Sequence, residues 1–313
     1  MSGQLQTPVV FIVFNRPVQT SRVFERISLV KPKHLLVIAD GARADRPEEK
    51  VLCEETRRIA TSVTWPCEVE TNFAPRNMGC RDRLISGLNW AFEQVEEAII
   101  LEDDVLPDPS FFPFCEQMLD HYREDTRISM VAGFNNVENQ VRTDSSYFFS
   151  NLTRIWGWAT WRRSWARYDE YLVNWPAIKS AGLLNEIFDR PEHVKYWTTI
   201  FDLMHDGTGP NTWDYQWAYT NFIHNALSIV PRVNLIENIG FGPGATHTTE
   251  LLDAPKVTAG SLDERLIHPL AVVPLRSRDQ IDMARSGCQA PTLAERIARK
   301  IRRSTMKALA RSH

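Results

Sequence analysis

The stretch AIILEDDVLPDPSFF (98–112) sets three consecutive carboxylates, Glu102, Asp103 and Asp104, behind four apolar residues. A short, uniformly apolar run that stops at polar residues reads as a strand buried on both faces. Carboxylates in contact repel one another unless something positive sits between them. A solvated acidic loop accounts for one or two such residues, but three in a row behind a buried strand call for a counter-charge. A divalent cation, Mn²⁺ or Mg²⁺, suits hard oxygen donors and keeps coordination positions open for substrate phosphates. Asp108-Pro109 caps and opens a helix to about Tyr122, which explains Asp108 without a ligand.

Working outward, VVFIVF (9–14) and HLLVIAD (34–40) read as further buried strands and CEVETN (67–72) as a short one. Helices are expected from about Pro17, from Pro47 to about Ser62, and over RLISGLNWAFEQV (83–95), where Leu84, Leu88, Ala91, Phe92 and Val95 recur at helical spacing. Strand-helix alternation with apolar strands predicts an α/β fold whose mostly parallel sheet is covered on both faces. Ligands of such sheets bind outside the carboxyl ends of the strands. Three of those ends are polar: Asn15-Arg16, Asp40-Gly41 and the acidic triplet. Arg16, together with Arg81 and Arg83 after the turn NMG, is placed to meet a diphosphate.

Toward the C-terminus, ISMVAGF (128–134) and SSYFFSN (145–151) read as strands of a mixed sheet. The aromatic stretch IWGWATWRRSW (155–165) follows, then helical segments near 193–205 and 214–227. A strand and a glycine-rich loop in IVPRVNLIENIGFG (229–242) close the globular part, and residues from about 250 to 291 carry no clear pattern.

The 313 residues are 43% hydrophobic, enough for one large α/β domain or a domain with an extension. Five scattered cysteines without CxxC spacing fit reduced thiols, so any metal would be held mainly by oxygen. No signal-peptide pattern and no apolar run near the roughly 18 residues of a membrane span is visible, so a cytoplasmic protein is expected. The net charge of −3 is uneven: residues 292–313 hold seven basic residues and one acidic, a local +6, which leaves −9 for residues 1–291. An acidic body excludes nucleic acid as the expected partner. In the tail, Leu293, Ile297 and Ile301 recur every four residues among arginines and lysines. This pattern reads as a basic amphipathic helix, lying on an anionic membrane surface or docking its apolar stripe on the body.

The order of these motifs resembles the GT-A class of nucleotide-sugar glycosyltransferases, where a DxD-type motif ending a strand binds the donor diphosphate through Mn²⁺. It is most similar to the N-acetylglucosaminyltransferase I family and related bacterial glycosyltransferases. LEDDVLPDPSFF matches the family's acidic motif and helix opening, IWGWATW its aromatic, glycine-containing segment, and TWDYQW its WDDW-like motif, over roughly residues 9–247. Tyr215 stands where the family has a second aspartate, which leaves the register of the base open.

The resemblance implies a metal-dependent, inverting hexosyl- or N-acetylhexosaminyltransferase of polysaccharide biosynthesis. Its donor would be a nucleotide-diphosphate sugar, a UDP-sugar, and its acceptor a glycan, a glycolipid or a lipid-linked chain. The GT-A domain would span 1–249, with a donor half to about 125 and an acceptor half beyond it, followed by an irregular extension (250–291) and the basic helix (292–313). Asp104 would ligate the metal, Asp103 would lie near the ribose and metal, and Glu102 near the transferred sugar. Asp40 would accept the N3–H of the base, and Asn15 and Arg16 would meet the nucleotide or its phosphates. His247 would be a further metal or diphosphate ligand, on a loop given mobility by Gly240, Gly242 and Gly244.

Asp214 is the candidate general base, since inversion needs one carboxylate within reach of the acceptor hydroxyl. It also reads as a helix N-cap, with Asp206 as the reserve base. Trp156, Trp158 and Trp213 read either as a sugar-facing wall or as core. Two alternatives stay open. A nucleotidyltransferase would carry a glycine-rich triphosphate loop after the first strand, and VFNRPVQT has none. A non-catalytic nucleotide-sugar-binding module would not need Asp214.

Overall fold

The computed structural model describes residues 3–138, 143–240, 258–285 and Cys288. Its first half alternates strand and helix: β1 (Val9–Val13), α1 (Pro17–Val30), β2 (His34–Ala39), α2 (Glu49–Ala60), β3 (Glu68–Phe73), α3 (Cys80–Gln94) and β4 (Glu97–Glu102). After β4 come β5 (Val105–Pro107), α4 (Phe111–His121), β6 (Ile128–Ala132), β7 (Tyr147–Ser150) and β8 (Trp158–Trp161). The short helices α5 (Arg162–Trp165), α6 (Trp175–Ser180) and α7 (Leu184–Ile187) lead to α8 (Pro191–His205) and α9 (Asp214–Ile223). The last elements are β9 (Leu227–Pro231), β10 (Ile236–Asn238) and α10 (Arg276–Arg285).

Eight strands form one sheet in the order β3-β2-β1-β4-β8-β6-β9-β7. The pairs β3·β2, β2·β1, β1·β4 and β6·β9 are parallel, whereas β8 and β7 run against their neighbours. The fold is therefore the expected mixed, mostly parallel α/β sheet flanked by helices. Register fixes the site: Val13 lies opposite Ala39 and Ile12 opposite Glu102, so the chain leaves β1, β2 and β4 at one edge. That edge gathers Asn15-Arg16, Asp40-Gly41 and the acidic triplet.

Alternate residues of the strands feed two cores, as a sheet covered on both faces requires. Phe11, Val37, Ile99 and Leu101 pack with Val23, Ile27, Phe111 and Phe112 on one face. Val10, Leu36, Ile38 and Ile100 pack with Leu84, Leu88 and Phe92 of α3 on the other. A third, largely aromatic cluster (Trp175, Trp197, Phe201, Tyr219, Phe222) joins α6, α8 and α9.

Several expectations shift. The aromatic stretch 155–165 contains β8, which pairs antiparallel with both β4 and β6 and so holds the two halves of the sheet together. α9 stops at Ile223 rather than near 227, because Leu227 begins β9. The weakly patterned stretch after 250 supplies α10, which docks on β7 through polar groups. Arg154 Nη2 lies 2.5 Å from Asp282, while Asp279 accepts from the Ser150 hydroxyl at 2.5 Å and the Asn151 N–H at 3.0 Å. A helix held by buried charges has little apolar periodicity to detect. Among the described residues no helix is long and apolar enough to cross a membrane. His247 and residues 292–313 lie outside the described residues.

Candidate active site

Glu102 is the last residue of β4, and Asp103 and Asp104 form the turn into β5. β5 leaves the main sheet and pairs antiparallel with β10, so the triplet sits at the junction of the two sheets. Asp103 is buried, and its Oδ2 accepts the Phe14 N–H at 3.0 Å, tying the end of β1 to the end of β4. Arg16, at the N-cap of α1, puts Nη1 2.5 Å from Asp104 Oδ2 and 3.6 Å from Asp103 Oδ1. Burial and then the charges of Asp104, Asp103 and Asp214 raise the Glu102 carboxyl to about 8. Burial and Asp104 likewise hold Asp103 well above the usual carboxylate range, against Arg16 and the Phe14 N–H. Among the described residues the Arg16 guanidinium offsets the charge of these carboxylates only in part.

Asp214 reaches this site from the far half of the chain. It begins α9 rather than capping it: Trp213 is the N-cap residue, and Asp214 accepts a hydrogen bond from the Thr212 hydroxyl. Its charge is felt by Glu102. Cys80, the first residue of α3, marks the common ground. Desolvation, then Glu102, Asp214, Asp104 and Asp40, push its thiol up to about 12. Four carboxylates, from the ends of β2 and β4 and the start of α9, therefore act on this one thiol, although the residue as a whole is exposed. Cys80 carried no signal in the sequence, because nothing local to NMGC announces which carboxylates face it.

The metal fit rests on this donor set. Among the described residues no three His, Cys, Asp or Glu side chains are grouped to hold a metal. Mg²⁺ and Mn²⁺ are commonly bound through one or two carboxylates together with substrate phosphates rather than by an all-protein cage. Crowded carboxylates, of which Asp104 is half-buried, fit that shared mode.

Other expected site residues separate. Every lone-pair direction of Asp40 is taken. Oδ1 accepts the N–H groups of Gly41 (2.8 Å) and Met78 (2.9 Å), and Oδ2 those of Gly79 (3.1 Å) and the Asn77 amide (2.9 Å). Asp40 thus shapes the loop before α3, and no acceptor position is left over for a base N3–H. Arg83 is buried and donates to both the carbonyl and the side-chain oxygen of Asn72, at 2.6 and 2.7 Å. It ties α3 to β3 and does not face a diphosphate. Arg81 is half-buried and pairs with Glu170 at 3.1 Å. Asn15 is half-buried at the end of β1.

The tryptophan wall divides in the same way. Trp158 is 1% exposed and Trp213 2%, and their rings stack at 5.5 Å within the α3-side core, so neither can meet a sugar. Burial of large aromatic area wins here over display. Only Trp156 is half-buried, edge-on to Phe134 at 4.7 Å.

The segment after β10 closes on the triplet. The Ile239 N–H donates to the Asp104 carbonyl at 2.8 Å, and a Cβ added at Gly240 would collide with the Asp104 carboxylate. A side chain at this position would have to push the Asp104 carboxylate aside. His247 follows seven residues later, outside the described residues.

No family profile matches the chain, and no curated protein does. Among solved structures it is similar to the mannosyltransferase PcManGT from Pyrobaculum calidifontis in complex with GDP-Man and Mn²⁺. The identity is 14% and the TM-score 0.36, over 52% of this chain and 46% of that one. The chain thus spans about half the length of that structure, and a likeness so slight carries no weight about what this protein does.

Proposed function

We propose that the chain is a metal-dependent glycosyltransferase of GT-A type, taking a nucleotide-diphosphate sugar, a UDP-sugar, and transferring with inversion to a glycan, glycolipid or lipid-linked acceptor. The observation that carries the reading is the convergence of Asp214 on the Glu102-Asp103-Asp104 turn at the carboxyl edge of the sheet. Asp214 takes the proton of the acceptor hydroxyl as its oxygen bonds to the anomeric carbon. The bond from that carbon to the diphosphate breaks on the opposite face, and the nucleoside diphosphate leaves. Arg16, now on Asp104, is positioned to share its charge with the leaving phosphates. A Mn²⁺ or Mg²⁺ held by Asp104 and Asp103 would offset the same developing charge. Glu102 lies nearest the transferred sugar, Trp156 borders its acceptor side, and Arg81 is a donor-diphosphate contact. Asn15 stands at the nucleotide end and His247 serves as a further phosphate or metal ligand. In this reading residues 1–249 form the catalytic domain, and the basic terminal segment holds a cytoplasmic enzyme against anionic lipid.

The test is a calorimetric titration of UDP-sugars with Mn²⁺, paired with turnover, on the parent and on Asp214→Asn. The variant should keep donor affinity and lose about 10²- to 10⁴-fold in turnover. Near-normal turnover moves the base to Glu102 or to Asp206, which caps the C-terminus of α8. Failure of every nucleotide sugar to bind the parent with Mn²⁺ rejects the reading.

A further inference from the structure

Asp279, Asp282 and Arg285 recur every three residues along α10, which sets them on one side of the helix. That side meets two loops at once. Asp279 holds Ser150 and Asn151 at the end of β7. Asp282 is buried between the loops: its Oδ1 accepts the Asn136 amide at 2.6 Å, and its Oδ2 accepts Arg154 Nη2 at 2.5 Å. Arg285 adds a hydrogen bond to the Asn136 carbonyl. One carboxylate therefore ties the loop after β6 to the loop before β8. Its partners are held as well: Arg154 also donates to the Ser150 hydroxyl at 3.2 Å, and Asn135, beside Asn136, donates to the Pro231 carbonyl at 2.8 Å.

Two residues from each anchor stands an aromatic ring, Phe134 before Asn136 and Trp156 after Arg154. The two rings meet edge-on at 4.7 Å, and both residues are half-buried. β4 and β6 both run antiparallel to β8, so the chain leaves β6 at the edge where it leaves β4, and it enters β8 there too. Phe134 and Trp156 thus lie at the edge that carries the acidic triplet. The approach is close, since a Cβ built on Gly157 would sit 3.3 Å from Cγ1 of Val105, the residue after Asp104. The Gly133 N–H donates to the Gly157 carbonyl at 2.7 Å on one side of the aromatic pair, and Asp282 ties the same loops on the other. A partly exposed aromatic pair beside convergent polar groups is the kind of surface that takes the apolar face of a sugar ring.

We propose that Asp282 is a positioning residue for acceptor binding: from α10 it holds the Phe134 and Trp156 loops together, so that the aromatic pair offers a stacking surface to a sugar ring of the acceptor beside the acidic triplet. The proposal deepens the reading of a glycan acceptor and rests on it for the ligand, not for the geometry. The full chain labelled with 5-fluorotryptophan tests it by ¹⁹F NMR, with the Trp156 line assigned through Trp156→Phe. Methyl glycosides of glucose, galactose, mannose and N-acetylglucosamine are titrated in, with and without UDP and Mn²⁺. At least one of them should move the Trp156 line of the parent. Asp282→Asn and the milder Asn136→Ala should weaken that glycoside at least about fivefold, the order of a lost aromatic contact. Calorimetry on the same variants should find the affinity for UDP with Mn²⁺ unchanged, whereas a merely structural role would lower both affinities together. A parent line that no glycoside moves overturns the proposal. So does a variant that binds the glycoside like the parent, or one that loses UDP in equal measure. UDP that fails to bind the parent with Mn²⁺ rejects the glycosyltransferase reading instead, and the titrations without UDP still decide whether Asp282 sets a sugar site.

Discussion

Asp104 and Asp103 are adjacent in sequence yet differ in occupation: Asp103 is buried on the Phe14 N–H, and half-buried Asp104 faces Arg16 and the Gly240 backbone. Asp104→Ala should leave the fold intact and weaken Mn²⁺-dependent donor binding by more than the roughly 10- to 100-fold that loss of a supporting group costs. Calorimetry with and without metal reads this directly, and unchanged UDP-sugar affinity would remove Asp104 from the site. The same crowding predicts a pH dependence. Folded Glu102 keeps its proton to about 8, whereas the unfolded chain releases it near the ordinary 4.5. Between those values the unfolded state binds fewer protons, so stability falls as pH rises through that window, and Asp103 acts in the same direction. Melting of the metal-free protein should occur at least about 2 °C lower at the top of that window than near its bottom, given the usual relation of stability to melting temperature. Mn²⁺ should raise the melting temperature more at the higher pH; equal melting at both ends would sink the argument. The acidic triplet was legible because crowded charge needs no partner in sequence to be recognised. Asp40 and Arg83 were misjudged because a side chain's occupation depends on donors brought by other loops.

At the scale of elements, the parallel half was legible from uniform apolar strands and spaced helices, to within a few residues at the ends. β8 was not, because its WATW is buried on every side and offers no alternation to read. Just before it, Gly157 takes φ +61, and its Cβ position is filled by the Ile236 side chain of β10. Its carbonyl accepts the Gly133 N–H at 2.7 Å. Gly157→Ala must therefore adopt a left-handed conformation and displace β10. A loss of about 1–3 kcal/mol is expected in urea unfolding, together with weaker donor binding through the displaced 239–240 backbone. A variant as stable as the parent would show that β10 yields freely.

Over the whole molecule, α10 returns to clasp β7 from more than a hundred residues away. Arg154 is 4% exposed at its side chain and its salt bridge to Asp282 crosses that interface. Asp282→Ala strands a buried guanidinium and should cost about 3–5 kcal/mol of stability in urea unfolding, without changing Mn²⁺ dependence of donor binding. A loss below about 1 kcal/mol, the range of exposed pairs, would mean that the clasp is wet.

The sequence by itself determined the α/β alternation, the mostly parallel sheet and the edge at which Arg16 and the acidic triplet lie. Those follow from local periodicity and from the rule that parallel strands end together. Only the tertiary structure decided that the charge of Asp214 reaches Glu102, that four carboxylates act on the Cys80 thiol, and that Trp158 and Trp213 are core. Each of these depends on contacts between segments far apart in the chain, where burial and hydrogen-bond supply are set by the partner and not by the residue.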